Sequence, residues 1–449
     1  MADLAEALTG PTVELLQTMI RNQCVNDGTP DSGEEARNAD VLRAYLEGGG
    51  LEVESFEARP GRASLVARIE GTDPGAPTVC LMGHTDVVPV DPSGWREDPF
   101  GGELIEGEIW GRGAIDMLNL TASMAVATRH LATSGWRPRG TLVYFAVADE
   151  EAQGVFGAEW MCDNHWDALD ADYVLTENGG YNHVAPDGRR KVAIQVGEKG
   201  LGWRRLTVHG TPGHGSAPYN ADNALITAAE VVRRIAAHRS APQVSELFRA
   251  QIDALPLPED LKADLLDPGR LDDALARVPS RAAGFLHACS HTTFSPNVVH
   301  GGVKQNVIPS EVHIDVDIRV LPGVDGDGLD AEIREILGDL ADRVDITRMV
   351  DTPSTVSELD TPMWAAIERR VRAHYPDADV LPSMMIGGTD ARFFRRRGAV
   401  GYGAALLAPD ITMADFGSRF HGHNERIDTR SLGLCADLWV GVAQDMLGG

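Results

Sequence analysis

Apolar runs and helix-like patterns alternate along the first part of the chain. Segments 78–83 and 141–148 are continuous apolar runs bounded by turn-forming residues, which is typical of strands buried on both faces. Between them, 120–134 has the spacing of a helix with a face of small residues, and 173–177 is another short apolar run. Strands that alternate with helices predict an α/β architecture in which helices flank a mixed, mostly parallel sheet.

The pattern changes near residue 199. Residues 202–210 predict a strand, 222–238 an amphipathic helix, and 240–285 a polar helical segment. Glu311–Val320 alternates apolar and polar side chains with a period of two. Such a strand has one buried face and one solvent-exposed face, unlike the fully buried strands earlier in the chain. This middle part therefore predicts a smaller domain of the α+β class.

Helix–strand alternation returns from about residue 323. We expect a helix to begin near Asp360, which can cap it, with Pro362 in its first turn. The length of 449 residues also suggests two or three domains. The predicted domains are a first catalytic segment at 1–198, an inserted domain at 199–322 and a second catalytic segment at 323–449.

The balance of charge is strongly acidic, with 67 aspartates and glutamates against 40 lysines and arginines and a formal net charge of −27. Such a chain lacks the basic contacts on which affinity for nucleic acid or an anionic membrane surface depends. No run approaches the roughly 18 apolar residues of a membrane span, and no basic segment precedes an apolar one at the amino terminus. The five scattered cysteines contain no CxxC pair, so we expect a reduced, cytoplasmic protein.

Candidate metal ligands begin just after the strand predicted at 78–83. His84 and Asp86 share a face in extended chain, and a carboxylate beside a histidine can orient the other ring nitrogen toward a metal. An isolated pair of this kind is more often a structural hydrogen bond. Asp116 follows two glycines and precedes the helix predicted at 120–134, where it can bridge two cations or simply cap the helix.

A further strand ends in consecutive carboxylates. The run at 141–148 is followed by Asp149, Glu150 and Glu151, which repel one another unless a positive charge lies nearby. A solvated acidic turn explains the same pattern equally well. In extended chain Glu150 and Glu151 point in different directions, so one can bind a metal while the other handles a proton.

Two late candidates complete a set of ligands. Glu177 ends the run at 173–177, and His421 lies in a histidine cluster near the carboxyl terminus. The strands of the α/β part thus place polar residues at their carboxyl ends, where open α/β sheets form their sites. The set is His84, Asp116, Glu151, Glu177 and His421. Its three carboxylates and a bridging hydroxide balance two divalent cations, and mixed imidazole and carboxylate ligation suits zinc, with cobalt or manganese as alternatives.

Five motifs in this order resemble those of one metallopeptidase family: GHTDVVP at 83–89, GRGAIDM at 111–117, ADEE at 148–151, the glutamate of TENGG at 176–180, and FHGHNERI at 420–427. The family is that of aminoacylase-1, carboxypeptidase G, acetylornithine deacetylase and succinyl-diaminopimelate desuccinylase. The resemblance covers nearly the whole chain. It implies a dinuclear-metal catalytic domain interrupted by a lid or dimerisation domain, and a zinc-dependent hydrolase of the aminoacylase, dipeptidase or carboxypeptidase type.

The resemblance also implies a role for each candidate. Asp116 would bridge two metals and be followed by a cis peptide bond. The other ligands would be His84 and Glu177 for one metal, and Glu151 and His421 for the second. Asp86 would support His84, and Glu150 would be the general base. Many members follow the bridging aspartate with Met-Lys or a similar polar pair, whereas here Met117, Leu118 and Asn119 follow it, which weakens the analogy to any one member's substrate.

The inserted domain carries matches of its own. His214, in the motif GTPGHGSAP, would stabilise the oxyanion from its own chain or from a partner subunit. The residues implied near the substrate are Asn306 in GGVKQNVIP, Arg319 on the alternating strand, and Gly388 and Thr389 in GGTD. For Arg319 the alternative is an ordinary charge on a surface strand.

The sequence favours hydrolysis of an amide bond in a small N-acyl amino acid or peptide by a metal-activated water with a glutamate base. Both substrate types carry a free carboxylate, so the choice between aminoacylase and peptidase stays open. A non-catalytic metal- or peptide-binding protein would be expected to lose the base first, and Glu150 is present. A two-metal phosphoesterase would use similar ligands but does not fit the motif order. A homodimer through the inserted domain and a monomer are both compatible with the pattern.

Overall fold

The computed structural model describes residues 2–184 and 188–449. The strands in this part are β1 (Val53–Glu57), β2 (Ala63–Ile69), β3 (Thr78–His84), β4 (Glu103–Ile105), β5 (Glu108–Trp110), β6 (Thr141–Val147), β7 (Tyr173–Thr176), β8 (Tyr181–Val184), β9 (Arg190–Glu198), β10 (Gly200–Leu201), β11 (Arg204–His209), β12 (Gly213–His214), β13 (Thr293–Gly301), β14 (Val307–Ile308), β15 (Glu311–Val320), β16 (Val344–Arg348), β17 (Thr355–Val356), β18 (Asp379–Met385), β19 (Val400–Gly403) and β20 (Arg426–Asp428).

The α-helices in the same residues are α1 (Ala2–Arg21), α2 (Ala36–Glu47), α3 (Leu118–Thr133), α4 (Ala158–Asn164), α5 (Trp166–Leu169), α6 (Ala224–Ala237), α7 (Glu246–Ala254), α8 (Glu259–Leu265), α9 (Leu271–Leu275), α10 (Ser280–Ser290), α11 (Gly326–Leu337), α12 (Pro362–His374), α13 (Ala391–Arg395), α14 (Met413–Arg419) and α15 (Thr429–Leu447). The chain divides into two compact units. The larger comprises Met1–Val196, Ser357–Ser383 and Thr389–Gly449, and the smaller Gly197–Val356 and Met384–Gly388.

The larger unit is built on a mixed sheet with the strand order β1-β2-β6-β3-β7-β19-β9. The central pairs β3–β6, β3–β7 and β7–β19 are parallel, whereas β1–β2, β2–β6 and β9–β19 are antiparallel. Cys80 and Met82 of β3 join an apolar cluster with Met161 of α4 and Phe394 of α13, and α3 and α15 also contact β3. The prediction of an α/β domain with a mixed sheet flanked by helices is confirmed.

The helix expected near Asp360 begins at Pro362, but its cap differs from the prediction. Thr361 is the N-cap residue, and its Oγ1 accepts a hydrogen bond from the backbone N–H of Trp364 at 3.1 Å. Asp360 lies one residue too early to face the free N–H groups of the first turn. The prediction that Asp360 caps the helix is therefore wrong by one residue.

The smaller unit is built on an antiparallel sheet with the strand order β10-β15-β11-β16, in which β13 also pairs with β15. The alternation predicted for β15 is present, because its valines and isoleucines are buried while the intervening residues are not. The buried face packs against α6 and α11. Helices α7 to α10 enclose a second apolar cluster that includes Phe248 and Leu265.

The smaller unit continues past the segment 199–322 predicted for the inserted domain. β16 pairs with β11, and Leu329 and Ile333 of α11 pack on the buried face of β15. The helix and strand that follow residue 323 thus complete the layer of the smaller unit. Their alternation resembles that of the larger unit, and the pattern alone does not show which sheet a strand joins.

All five cysteines are buried and free. No helix in the part of the chain that the structure describes has the length and apolar character needed to cross a lipid bilayer.

We predict that Ile314→Ala lowers the stability of the smaller unit by about 2–5 kcal/mol, because it removes a fully buried side chain between the sheet and its helices. Hydrogen exchange of β15 peptides, monitored during unfolding in urea, measures this loss of stability. His313→Ala, on the partly exposed face of the same strand, should cost much less. Equal losses would contradict the assignment of the two faces.

Candidate metal centre

His84 stands at the carboxyl end of β3 with its imidazole buried. Its Nδ1 lies 3.0 Å from the backbone oxygen of Asp86, which accepts a hydrogen bond from the ring. Thr121 of α3 donates a hydrogen bond from Oγ1 to the carbonyl of His84 at 2.7 Å and so ties the strand end to the helix. When the ring is neutral, this bond keeps the proton on Nδ1 and leaves the lone pair of Nε2 facing the centre.

Asp116 lies between two imidazoles. Its Oδ1 is 3.2 Å from Nε2 of His84, and its Oδ2 is 2.8 Å from Nε2 of His421. The alternative role as a helix cap is not found, because α3 has Met117 as its N-cap and no side-chain cap bond. The peptide bond between Asp116 and Met117 is cis, as the resemblance implied.

Two groups of potential ligands meet at Asp116. The first is His84, Asp116 and Glu177, and the second is Asp116, Glu151 and His421; within each group the donor atoms lie within 4.8 Å of one another. Oε2 of Glu177 is 3.9 Å from Nε2 of His84, and Oε2 of Glu151 is 3.4 Å from Nε2 of His421. The five ligands predicted from the sequence are thus brought together. His84, Glu151 and Glu177 end or follow strands β3, β6 and β7 of one sheet, whereas Asp116 precedes α3 and His421 follows α14.

Asp86 links the ligands through the backbone. Its Oδ1 accepts a hydrogen bond from the N–H of Glu150 at 3.3 Å, and its Oδ2 accepts one from the N–H of Glu151 at 3.1 Å. Its Oδ1 is also 3.5 Å from Nδ1 of His84. The carboxylate therefore holds the turn after β6 against the end of β3, which places Glu150 and Glu151 beside the centre.

The pKa shifts of the side chains in the centre show that it has too little positive charge to balance its carboxylates. Burial and then the charges of Glu150 and Asp116 raise the pKa of Glu177 well above its ordinary value. Burial also raises the pKa of Glu150 well above the ordinary range, against the opposing effect of His84. Burial disfavours the imidazolium of His421, but hydrogen bonds to Asp116 and Glu151 outweigh it and raise its pKa to about 10.

The donor set fits two divalent cations. Among the described residues, the buried Oε1 of Glu151 has no hydrogen-bond partner. Three carboxylates and two imidazoles converge at separations close to those between neighbouring ligands of one ion. Burial raises the pKa values of Glu151 and Glu177, so these two carboxylates hold protons more readily when no cation is bound. Neutral imidazole nitrogen with carboxylate oxygen is a ligand set that zinc, cobalt and manganese accept.

Two residues that support the centre were missed by the sequence analysis. Asn26 donates a hydrogen bond from Nδ2 to Oδ2 of Asp86 at 2.8 Å. Glu425 is buried and accepts hydrogen bonds at Oε1 from the N–H of Ile115 at 2.7 Å and of Asp116 at 3.2 Å. Glu425 belongs to the motif FHGHNERI, which was a usable signal, whereas nothing in the sequence around Asn26 indicated this contact.

The GGTD segment contributes Thr389 to the larger unit, beside the turn after β6. The carbonyl of Thr389 accepts a hydrogen bond from Nη1 of Arg392 at 2.6 Å, and Nη2 of the same arginine donates to the carbonyl of Gln153 at 2.8 Å. Asp390 is buried, and a Cβ added to Gly154 would lie only 2.6 Å from its Oδ1. This loop therefore packs directly against the turn that carries Glu150 and Glu151.

The smaller unit contains His214, which is predicted to stabilise the oxyanion, and the other predicted substrate-binding residues, Asn306, Arg319 and Gly388. His214 is exposed, and the carbonyl of Asn306 accepts a hydrogen bond from the N–H of Gly215 at 2.8 Å, so the two lid motifs are adjacent. Arg319 is half-buried and pairs with Asp317 at 2.7 Å.

An α/β sheet whose strand ends gather imidazoles and carboxylates around one shared aspartate defines a metal-dependent hydrolase. Comparison with known proteins agrees: the sequence profile of peptidase family M20/M25/M40 matches residues 80–445. The chain belongs to this family.

Similar proteins cover nearly the whole chain. Aminoacylase-1 from Mus musculus is 26% identical over 439 residues, which are 96% of this chain and 94% of the mouse protein. An M20 family metallo-carboxypeptidase from Sulfolobus solfataricus has a TM-score of 0.71 at 18% identity, covering 97% of this chain and 98% of its own. Human carnosine dipeptidase 1 has a TM-score of 0.67 at 18% identity, covering 99% and 98% respectively. These two structures show a shared fold.

We predict that Glu425→Gln weakens metal binding about 10–100-fold, because Glu425 holds the backbone of Asp116 in place. Competition with a zinc chelator measures the affinity. Glu425 pairs with Arg112, and Asp445 pairs in the same way with Arg370 between α12 and α15, so Asp445→Asn is the matched control. An unchanged affinity in Glu425→Gln would show that the ligand geometry does not depend on this contact.

Proposed function

We propose that the protein hydrolyses the amide bond of a small N-acyl amino acid or peptide with the help of two divalent ions, for which zinc is the best match. The observation that carries this proposal is the position of Asp116, whose two carboxylate oxygens face two different imidazoles. One aspartate shared in this way suits a pair of ions better than a single ion. Membership of a peptidase family supports hydrolysis as the reaction.

In this proposal His84 and Glu177 hold one ion, Glu151 and His421 hold the other, and Asp116 serves both. Bound at these ligands, the ions would lower the pKa of a water molecule and polarise the substrate carbonyl. Asp86 and Glu425 keep the ligands in place through the backbone contacts described above.

Glu150 is the proposed general base. A carboxylate oxygen of Glu150 takes a proton from the attacking water and then delivers it to the nitrogen of the leaving amine. Burial supports this role, because it raises the pKa of Glu150 toward the range in which a carboxylate both accepts and releases a proton. Asp86 supports it as well by fixing the backbone N–H of Glu150.

Residues of the smaller unit are proposed to bind the substrate. By the family resemblance, His214 stabilises the oxyanion and Arg319 the carboxylate that an N-acyl amino acid shares with a peptide. His214 is exposed and its Nδ1 contacts the neighbouring Ser216, so the ring is accessible to a substrate. Asn306, Gly388 and Thr389 complete the proposed substrate-binding set.

The names of the similar proteins support a substrate with an amide beside a free carboxylate. Aminoacylase-1 is similar along nearly its full length, and the structural neighbours include a carboxypeptidase and a dipeptidase. The free, buried cysteines are consistent with a reducing compartment, and we place the protein in the cytoplasm.

A homodimer through the smaller unit is part of the proposal. β15 lies between β11 and β13 and so has no open edge for a partner, whereas in the described residues β13 pairs with β15 alone. Val298 and Val299 of β13 are 41% and 50% exposed. An exposed edge strand with apolar side chains is a natural place for a second copy to pair.

We predict that Glu150→Ala lowers kcat by about 10²–10⁴-fold or more while the metal content stays the same, because the variant loses the base but no ligand. Product analysis by mass spectrometry on a mixed panel of N-acyl amino acids and dipeptides, together with elemental analysis, tests this. Glu159→Ala, on α4, is the control and should retain activity. Full turnover by Glu150→Ala would exclude Glu150 as the base.

We also predict that removal of metal by a chelator abolishes turnover and that zinc restores it at two equivalents per centre. The parent protein and Asp116→Asn are compared in the same titration. In the variant, zinc binding at one ligand group should no longer affect zinc binding at the other, because Asp116 is the only ligand they share in the described part of the chain. Activity that survives complete metal removal would contradict the proposed function.

A further inference from the structure

A second cluster of metal-ligating side chains lies in the helical segment of the smaller unit. Asp272 of α9, His287 of α10 and His291, the residue that caps α10, present ligand atoms within 4.8 Å of one another. The spacing of four residues places both histidines on one side of the helix end. Their rings stack with centroids 4.2 Å apart and planes 5° apart.

The hydrogen bonds around His291 determine which ring nitrogen carries the proton. Nδ1 lies 3.2 Å from the carbonyl of His287 and 2.9 Å from Oγ of Ser290. Oγ of Ser290 donates its own proton to the carbonyl of Leu286 at 2.8 Å, so it is free to accept from His291. Nδ1 therefore carries the proton and faces two acceptors, and Nε2 is left with a lone pair.

That lone pair points at another acceptor. His291 is fully buried, and its Nε2 lies 3.2 Å from Oδ1 of Asp272 without a hydrogen bond between them. The buried Nε2 of His287 likewise has no partner among the described residues. Two acceptors at this separation repel each other unless a cation lies between them. Two ligands of a tetrahedral zinc ion, each bound at about 2.0–2.1 Å, are about 3.3 Å apart.

We propose that Asp272, His287 and His291 form a metal site separate from the centre of the larger unit. The ion bound there is zinc or another late first-row transition ion. Two neutral imidazoles and one carboxylate suit such an ion, and water from the exposed side of Asp272 completes the coordination. The His291 ring already has the orientation of a metal ligand, with its second nitrogen donating to a backbone carbonyl.

The ligand types select the kind of ion. Two imidazoles and one carboxylate disfavour calcium and magnesium, which depend on several oxygen ligands, and favour an ion with affinity for neutral nitrogen. Lys199 donates hydrogen bonds to the carbonyls of Ala288 and His291, and burial lowers the pKa of its ammonium group to about 7. The bound ion would fasten α9 to the end of α10 and so stabilise the helical segment.

The first test compares metal content in buffers that fix free zinc low enough to leave weak surface sites empty. The parent protein should bind one zinc per chain more than Asp272→Asn and one more than His287→Ala. The matched control is His238→Ala, because His238 pairs with Glu332 at 2.7 Å as a single histidine. It should bind as much zinc as the parent. Equal zinc in the parent and both site variants would overturn the proposal.

The second test locates the ion and does not depend on the proposed hydrolase function. Zinc should slow hydrogen exchange in peptides covering 271–291 of the parent and leave those of Asp272→Asn unchanged. Because more than half of the Asp272 side chain is exposed, this variant should fold even if His287→Ala does not. Slowing confined to the larger unit, or slowing that persists in Asp272→Asn, would overturn the site while leaving the proposed function intact.

Discussion

The cost of burying several carboxylates together is the constraint on which the larger unit depends. Asp116 lies buried between His84 and His421, and the pKa of Glu177 is raised by its burial and then by the charges of the neighbouring carboxylates. Such a cluster is stable only if protons or cations supply positive charge. The parallel strands β3, β6 and β7 end beside Asp116, and Asp86 holds the turn after β6 by accepting hydrogen bonds from its backbone N–H groups. The fold thus prepares a concentrated negative site, for which we propose two divalent metals as the counterions.

The strand ends and three of the five ligands could be predicted locally, because those three lie at or just after the ends of apolar runs. β3, β6 and β7 lie within two residues of their predicted bounds, and β15 has the bounds read from its alternation. The sharing of Asp116 between two imidazoles came from the family resemblance and not from local pattern. Asn26 and Glu425 could not be placed in the same way, since they contact Asp86 and Asp116 across 60 and 309 residues of chain. Such contacts depend on tertiary packing.

In the smaller unit, too, local patterns could be predicted from the sequence, whereas contacts between distant segments could not. Its alternating strand was evident, but the membership of α11 and β16 depends on pairing with β11, which a linear pattern does not reveal. The spacing of His287 and His291 is visible in the sequence, yet Asp272 joins them only after α9 folds against α10. One consequence is that the chain contains two unrelated sets of metal-ligating residues, one in each unit.

Anomalous diffraction at the zinc absorption edge tests the central claim most directly, with crystals of the Asp272→Asn variant so that the centre of the larger unit is observed alone. The account predicts two zinc peaks, one on each side of Asp116 and about 3.5–4 Å apart, as in two-metal hydrolases. The peak next to His84 should also contact Glu177, and the other should contact Glu151 and His421. A single peak, or two peaks that do not share Asp116, would contradict it.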